Sequence, residues 1–104
     1  MIRIIYFIEH IYLLTYNSIS YQIFVRVYMR DKMSELKKRI NYTVVCVNEF
    51  ANKFSLNSKD AFNYLYDFKG IEFIKEHYDI EHTLSIDDAV EDLIIVCRNN
   101  GGCI

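Results

Sequence analysis

The chain has 104 residues, of which 52% are hydrophobic and 25% charged, and its formal net charge at pH 7 is −2. A chain of this length forms one small domain at most, and its aliphatic and aromatic content excludes an intrinsically disordered protein. The acidic balance argues against nucleic-acid binding, because nucleic-acid-binding proteins take much of their affinity from lysine and arginine contacts with phosphates.

The three cysteines, Cys46, Cys97 and Cys103, are odd in number and lack the spacing of metal ligands. They therefore predict neither a disulfide framework nor a zinc site. Reduced thiols are the expected state, which favours a cytoplasmic protein. Cys97 lies on an apolar stripe and Cys46 flanks one, so we expect packed thiols with a raised pKa and not nucleophiles.

Residues 1–32 differ from the rest of the chain. They carry four basic residues against two acidic ones, a net charge of +2, whereas the remainder carries −4. The apolar run from Ile4 to Leu14 contains Glu9 and is shorter than the about 20 residues of a membrane span, and no signal-peptide cleavage site follows it. We therefore expect no membrane association. Residues 1–32 either form an extension that packs as an extra helix or strand, or precede a true translation start at Met33 or Met29.

The predicted helical domain comprises residues 33–104, and its first helix begins after Ser34, which can cap the N-terminus. Apolar residues then recur at steps of three and four, which is typical of the apolar face of a half-buried helix. These residues are Leu36, Ile40, Val44, Val47, Phe50, Ala51 and Phe54. The period is interrupted at residues 55–57, where this helix should end.

Two shorter helices are predicted next. Asn57 or Ser58 caps the second helix, and Asp60 lies in its first turn, where negative charge complements the helix dipole. Gly70 is predicted to end this helix in the left-handed conformation at C′. The apolar set of the second helix is Ala61, Phe62, Leu65 and Phe68, and that of the third is Ile71, Ile74 and Tyr78. A turn is predicted over residues 79–83.

The last helix is predicted to begin at Ser85 with a capping box, in which the Ser85 hydroxyl accepts from the backbone N–H of Asp88 and the Asp88 carboxylate reaches back toward Ser85. Asp87 and Asp88 lie in the first turn, where the dipole stabilises each negative charge by about 0.3–1 kcal/mol. The apolar stripe of this helix is Ile86, Ala89, Val90, Leu93, Ile94 and Cys97. The acidic residues Asp88, Glu91 and Asp92 therefore fall on or toward the solvated face, where their presence needs no chemical role.

A metal or acid/base site is the alternative interpretation of this segment. His77, His82, Asp87 and Asp88 offer the mixed imidazole and carboxylate ligands that divalent ions accept. Helical ligand pairs are usually three or four residues apart, whereas His77 and His82 are five apart and span a turn. A third class, a helix-turn-helix DNA-binding protein built on the second and third helices, conflicts with the acidic balance.

Part of the chain resembles a known family. The resemblance covers about residues 40–102 and rests on TVVCVNEFANKF, on SLNSKDAFNYLYDFKGIEFIKEHYDIEHTLSIDDAVEDL and on the terminal NNGG. These segments resemble a family of short bacterial proteins classified as a domain of unknown function, in which the run HYD…HTLS…D…VEDL is fairly specific. Members generally begin near the position of Met33, and residues 1–32 have no counterpart in them. The resemblance implies a compact helical protein, often encoded beside larger proteins that look like ADP-ribosyltransferase-type toxins, and hence an accessory or antitoxin-like role.

We therefore predict a cytoplasmic, all-α bundle of about four helices that has no enzymatic activity and binds another protein, such as a co-encoded ADP-ribosyltransferase-like protein. No catalytic residue, metal ligand, cofactor or nucleic-acid partner is predicted. The predicted partner-binding residues are His77, Tyr78, Asp79, His82, Asp87 and Asp88. The alternative is a small metal-dependent or acid/base enzyme that uses His77 and His82.

Overall fold

The computed structural model describes residues 4–5 and 19–104, which are helical apart from short connections. Four helices follow one another in the continuous part: α1 (Ile19–Lys53), α2 (Ser58–Asp67), α3 (Gly70–Glu81) and α4 (Ile86–Asn99). The described part contains no strand, so the all-α prediction is confirmed. None of these helices is both long and apolar enough to cross a membrane. The predicted apolar run Ile4 to Leu14 lies mostly outside the described residues.

The chain divides into two compact units, Met1–Leu36 and Lys37–Ile104. In the first unit, the rings of Phe24 and Tyr28 stack with centroids 6.4 Å apart, and the Lys32 ammonium lies 5.6 Å from the Tyr28 centroid. α1 continues through Met33, so the helix start predicted at Ser34 is wrong. The assignment of residues 1–32 to a separate extension stays a prediction.

The apolar stripe predicted for the first helix is only half correct. Val47, Phe50 and Ala51 are buried as expected. Leu36, Ile40 and Val44, which belong to the same predicted stripe, are about half exposed, at 49%, 52% and 51%. The buried part of α1 therefore begins at Cys46. Val47, the next residue, is the first member of the predicted stripe that is buried.

The core of the Lys37–Ile104 unit is built where the end of α1 meets α2, α3 and α4. Phe50 of α1 is fully buried, and its ring stacks on Tyr64 of α2 with centroids 5.6 Å apart. Leu65 and Leu93 are buried to the same degree. Burying one such side chain contributes about 1.5–3 kcal/mol. The core is formed by Cys46, Val47, Phe50, Ala51, Ala61, Leu65, Ile74, Ala89, Val90, Leu93, Ile94 and Cys97.

The turn between α2 and α3 differs from its prediction. Lys69, and not Gly70, has the left-handed conformation, with φ of 72°. Gly70 is instead the first residue of α3 and is buried. A Cβ at Gly70 would lie 2.9 Å from Leu65 Cδ2 and 3.1 Å from Cys97 Sγ, so the absence of a side chain is required by packing.

α3 is longer than predicted and positions the candidate site. It continues to Glu81 across non-helical angles at His77, where φ is −111° and ψ is 19°. The chain then turns at His82–Leu84, so the turn predicted over residues 79–83 begins too early. The backbone N–H of His82 still donates to Tyr78 O at 3.0 Å. The extra helical turn places Glu81 on the buried face of α3.

Candidate functional site

Three of the predicted site residues, Tyr78, Asp79 and His82, lie together at the end of α3. Tyr78 is the buried one, at 8% exposure. The His82 ring stacks on the Tyr78 ring, with centroids 4.6 Å apart and planes 10° apart. The Tyr42 ring of α1 contacts Tyr78 edge-on at 5.5 Å. Tyr78 therefore supports a surface that His82 and Asp79 expose.

Arg39 of α1 joins this cluster, which the sequence reasoning did not include. Its guanidinium carbon lies 4.6 Å from the Tyr78 centroid, a cation–π distance. Its Nη2 is also 3.4 Å from Asp79 Oδ1, and the Asp79 side chain is 85% exposed. An exposed pair of this kind contributes about 0–1 kcal/mol, so it orients Arg39 more than it stabilises the fold. Arg39 and Asp79 are forty residues apart, and no local signal predicts their contact.

The His82 side chain is fixed by its own helix. Its Nδ1 lies 2.7 Å from the carbonyl oxygen of Tyr78, one helical turn earlier. A carbonyl only accepts, so Nδ1 carries the hydrogen and donates it. In the neutral ring, Nε2 is then the acceptor. His82 therefore presents a polar nitrogen on an oriented, exposed ring.

His77 is not part of this cluster. It is exposed at the kink of α3, and its ring packs against Phe73 with centroids 4.8 Å apart. No contact joins it to His82, which uses Tyr78 instead. No group of three or more His, Cys, Asp or Glu side chains within residues 4–5 and 19–104 is arranged to hold a metal ion. The enzyme alternative based on His77 and His82 stays a prediction.

Asp87 and Asp88 lie at the start of α4, as predicted, and both are exposed. The Ser85 side chain accepts from the Asp88 backbone N–H at 3.1 Å, so this half of the predicted capping box is confirmed. The cap uses the backbone of Asp88 and the hydroxyl of Ser85, and the two carboxylates stay in solvent. They provide negative charge at the first turn of α4 that a basic partner can reach.

Glu81 is the site residue that sequence reasoning missed. It is 5% exposed, although glutamate is rarely buried without a partner. Burial raises the pKa of its carboxyl group, and the charge and hydrogen bonding of Asp92 on α4 raise this pKa further. Its backbone carbonyl accepts a hydrogen bond of 2.9 Å from the Tyr42 hydroxyl, whose pKa is also raised, mainly by burial. The signal for Glu81 was its spacing from Ile74 and Tyr78, which places all three on one helical face.

The buried thiols behave as expected from the sequence. Burial raises the pKa of the Cys46 thiol, and the hydrogen bond with Tyr42 opposes this effect. Burial likewise raises the pKa of the Cys97 thiol, against a smaller opposite effect from the backbone of Gly70. A thiol with a raised pKa is mostly protonated at neutral pH and is a poor nucleophile. Cys46 and Cys97 are therefore packing residues.

An open groove lies away from these residues, where α2 ends and α3 begins. Its volume is about 580 Å³, and it is lined by Tyr66, Asp67, Lys69, Ile71, Glu72 and Lys75. Lys69 and Glu72 form an exposed ion pair of 3.5 Å across it. The groove contains none of the predicted site residues, and its charges are mixed.

The fold and this cluster define the chain as a small all-α protein with an exposed, charged and aromatic surface at the junction of α3 and α4. It belongs to the family described as Protein of unknown function (DUF3791), whose model matches residues 41–100. The match spans the end of α1 and all of α2, α3 and α4. No curated protein matches the chain significantly. No solved structure does so either.

Proposed function

We propose that this DUF3791 protein is a non-enzymatic protein-binding module. Its contact surface, called here the α3–α4 surface, comprises Tyr78, Asp79, Ile80, His82, Leu84, Asp87 and Asp88, with Arg39 of α1 beside it. The observation that carries the proposal is the exposure of Ile80, at 65%, two residues from each of Tyr78 and His82, whose rings stack on each other.

The composition of this surface supports binding to a protein. Leu84 is 37% exposed two residues beyond His82, and Ile80 lies between Tyr78 and His82, so the segment of the ring stack carries two exposed aliphatic side chains. Interfaces take most of their energy from a few aromatic and arginine side chains surrounded by apolar contacts. Arg39 is of these types, and the buried Tyr78 ring holds its guanidinium in place. Because their rings and charges are already oriented, little conformational entropy is lost when a partner binds.

The partner we propose is a basic protein surface, and the first candidate is a co-encoded ADP-ribosyltransferase-like protein. The family resemblance described above supports this candidate, because it implies that relatives are encoded beside such proteins. The exposed Asp87 and Asp88 support the basic character of the contact. A cleft that binds a nucleotide through cations would attract these carboxylates and be blocked by them.

The partner is identified first, from a C-terminally tagged copy expressed at native level in its own bacterium and recovered under gentle salt. Mass spectrometry then names the companions. One dominant companion in stoichiometric amount supports the binding module. Recovery of the protein alone, with no companion at several salt concentrations, contradicts it.

Charge reversal of Asp87 and Asp88 to Lys tests the acidic contact. We expect the dissociation constant for the companion to rise about tenfold or more, because two attractive contacts become repulsive. This loss of affinity should become smaller as the ionic strength is raised. Isothermal titration calorimetry at two salt concentrations measures both effects.

A matched control separates the contact from general charge effects. Asp60 and Glu72 are exposed acids in the first turns of α2 and α3, so changing both to Lys alters the net charge by the same amount and also places cations at helix N-termini. The Glu72 change additionally removes the exposed ion pair with Lys69. The control variant should bind like the wild type. Equal weakening by both double variants would remove Asp87 and Asp88 from the contact surface.

A further inference from the structure

Glu81 has an unsatisfied polar atom inside the protein. Its residue is 5% exposed, and its Oε2 has no hydrogen-bond partner among the described residues. A buried carboxylate without a hydrogen-bond donor is strongly disfavoured relative to the same carboxylate in water. Some other group, or a different protonation state, must satisfy this oxygen.

The groups that face Glu81 supply no fixed positive charge. From α1, the Tyr42 hydroxyl donates to the Glu81 backbone carbonyl at 2.9 Å, and the Cys46 thiol feels the Glu81 charge. From α4, the carboxyl group of Asp92 is the acidic neighbour whose charge and hydrogen bonding act on Glu81. On α3 itself the titratable neighbours are Tyr78 and His77, and His77 is positive only when protonated.

We propose that Glu81 and Asp92 form a carboxyl pair that shares one proton in the folded protein, and that this pair makes the junction of α3 and α4 sensitive to pH. Two ionised carboxylates in contact can only accept, so neither satisfies the other. One proton turns one of them into a donor and removes the unsatisfied oxygen of Glu81. The two negative charges also repel each other, which favours the singly protonated pair. The inference is independent of the proposed partner binding.

The electrostatics of the site agree with this assignment. Burial is the largest cause of the raised pKa of Glu81, followed by the charge of Asp92, while a protonated His77 opposes both. The folded state therefore holds a proton that the unfolded chain releases at lower pH. Stability from this pair is complete below the unfolded-state pKa of glutamate and is lost as pH rises through the higher folded-state pKa. Each unit of pKa shift changes the folding equilibrium about tenfold.

Direct titration of Glu81 tests the proposal in the full chain. Carbon-13 NMR of side-chain carboxyl groups follows each glutamate across the pH range, and the signal that disappears in Glu81→Gln identifies Glu81. We expect it to titrate above the ordinary glutamate value. In Asp92→Asn the amide donates to Glu81 in place of the shared proton, so the Glu81 pKa should fall. An ordinary Glu81 titration in the wild type would overturn the proposal.

Unfolding in urea across the same pH range provides the second test. Glu81→Gln is nearly isosteric and permanently neutral, so it should lose less stability than the wild type as pH rises from acid to neutral. Glu76→Gln, an exposed acid on the same helix, is the matched control and should keep the wild-type pH dependence. Identical pH dependence in all three proteins would overturn the proposal. If Glu81→Gln does not fold, through-bond NMR assignment of the wild type identifies the Glu81 carboxyl signal, and its titration decides alone.

Discussion

Gly70 lies where the neighbouring atoms leave little room for a side chain. It begins α3 against α2 and α4, and a Cβ there would meet the Leu65 backbone oxygen at 3.1 Å as well as two side-chain atoms. A backbone oxygen cannot rotate away as a side chain can. The glycine therefore permits the close approach of three helices, and the strained left-handed angle of the turn is carried by Lys69, with φ of 72°.

We expect Gly70→Ala to destabilise the protein by about 1–3 kcal/mol, because the added methyl group overpacks the junction. Without the overpacking, the same change in a helix stabilises by about 0.5–1 kcal/mol, so the sign of the effect is the test. Urea unfolding followed by circular dichroism measures it. Glu76→Ala on the exposed face of α3 is the control, with a change of about ±0.5 kcal/mol or less. If Gly70→Ala were more stable than the wild type, α3 would lie farther from α2 and α4 than it does in the structure.

The roles of Gly70 and Glu81 were not predicted correctly from the sequence. A glycine after a predicted helix favours a left-handed cap, and the sequence contains nothing that distinguishes this role from close packing. Glu81 follows Ile80 and precedes His82 and Thr83, a polar context typical of a turn. Its spacing from Ile74 and Tyr78 places it on their face only if α3 continues past Tyr78, as it does in the structure.

Helix α2 begins at a cap that the sequence left open between two residues. Asn57 Oδ1 accepts from the Asp60 backbone N–H at 2.8 Å, which makes Asn57 the cap. The Ser58 hydroxyl instead donates to Asn48 Oδ1 of α1 at 2.9 Å, an exposed contact between side chains. The two residues therefore have different roles, although both are typical capping types.

Replacing each of these residues by alanine separates the roles. Asn57→Ala should cost about 1 kcal/mol of unfolding free energy, because the N–H of Asp60 loses its acceptor. Ser58→Ala should cost about 0.5 kcal/mol or less, since it removes one solvent-exposed hydrogen bond. Chemical denaturation of both variants in parallel measures the difference. Equal losses, or a larger loss for Ser58→Ala, would reassign the cap.

At the scale of elements, the sequence predicted α4 best and α1 least. The cap at Ser85 and the full apolar stripe of α4 are as expected, because a short helix that packs along its whole length shows its buried face directly. α1 has 35 residues, and its buried residues lie only between Cys46 and Ala51. Apolar periodicity shows which residues share a face, but it does not show how far along the helix that face is covered.

At the scale of the molecule, the helical class was predictable and the arrangement of the candidate site was not. Tyr78, Asp79 and His82 are close in sequence, and their proximity needs only the helix. Arg39 and Tyr42 reach the same place from α1, and Asp92 reaches Glu81 from α4. These contacts join residues from separate helices. Such contacts are detected from correlated substitutions among homologues, and a single sequence carries no signal for them.

The Lys37–Ile104 unit has one core, and its two buried thiols report on that core from different helices. Cys46 of α1 and Cys97 of α4 are both fully buried, whereas Cys103 is exposed. Both buried thiols belong to the same cluster of core residues. If this cluster unfolds cooperatively, neither thiol becomes accessible without the other.

Thiol labelling under native conditions should therefore modify Cys103 rapidly and leave Cys46 and Cys97 protected, because protonated, buried thiols do not attack the reagent. In rising urea, both protected thiols should become reactive together, at the midpoint where circular dichroism shows the loss of helix. Mass spectrometry of labelled peptides distinguishes the two sites. Cys103→Ser is the control, since it removes the fast reaction and leaves the midpoint unchanged. Labelling of Cys46 before Cys97 would contradict a single cooperative core, because it would mean that α1 separates while α2, α3 and α4 remain packed.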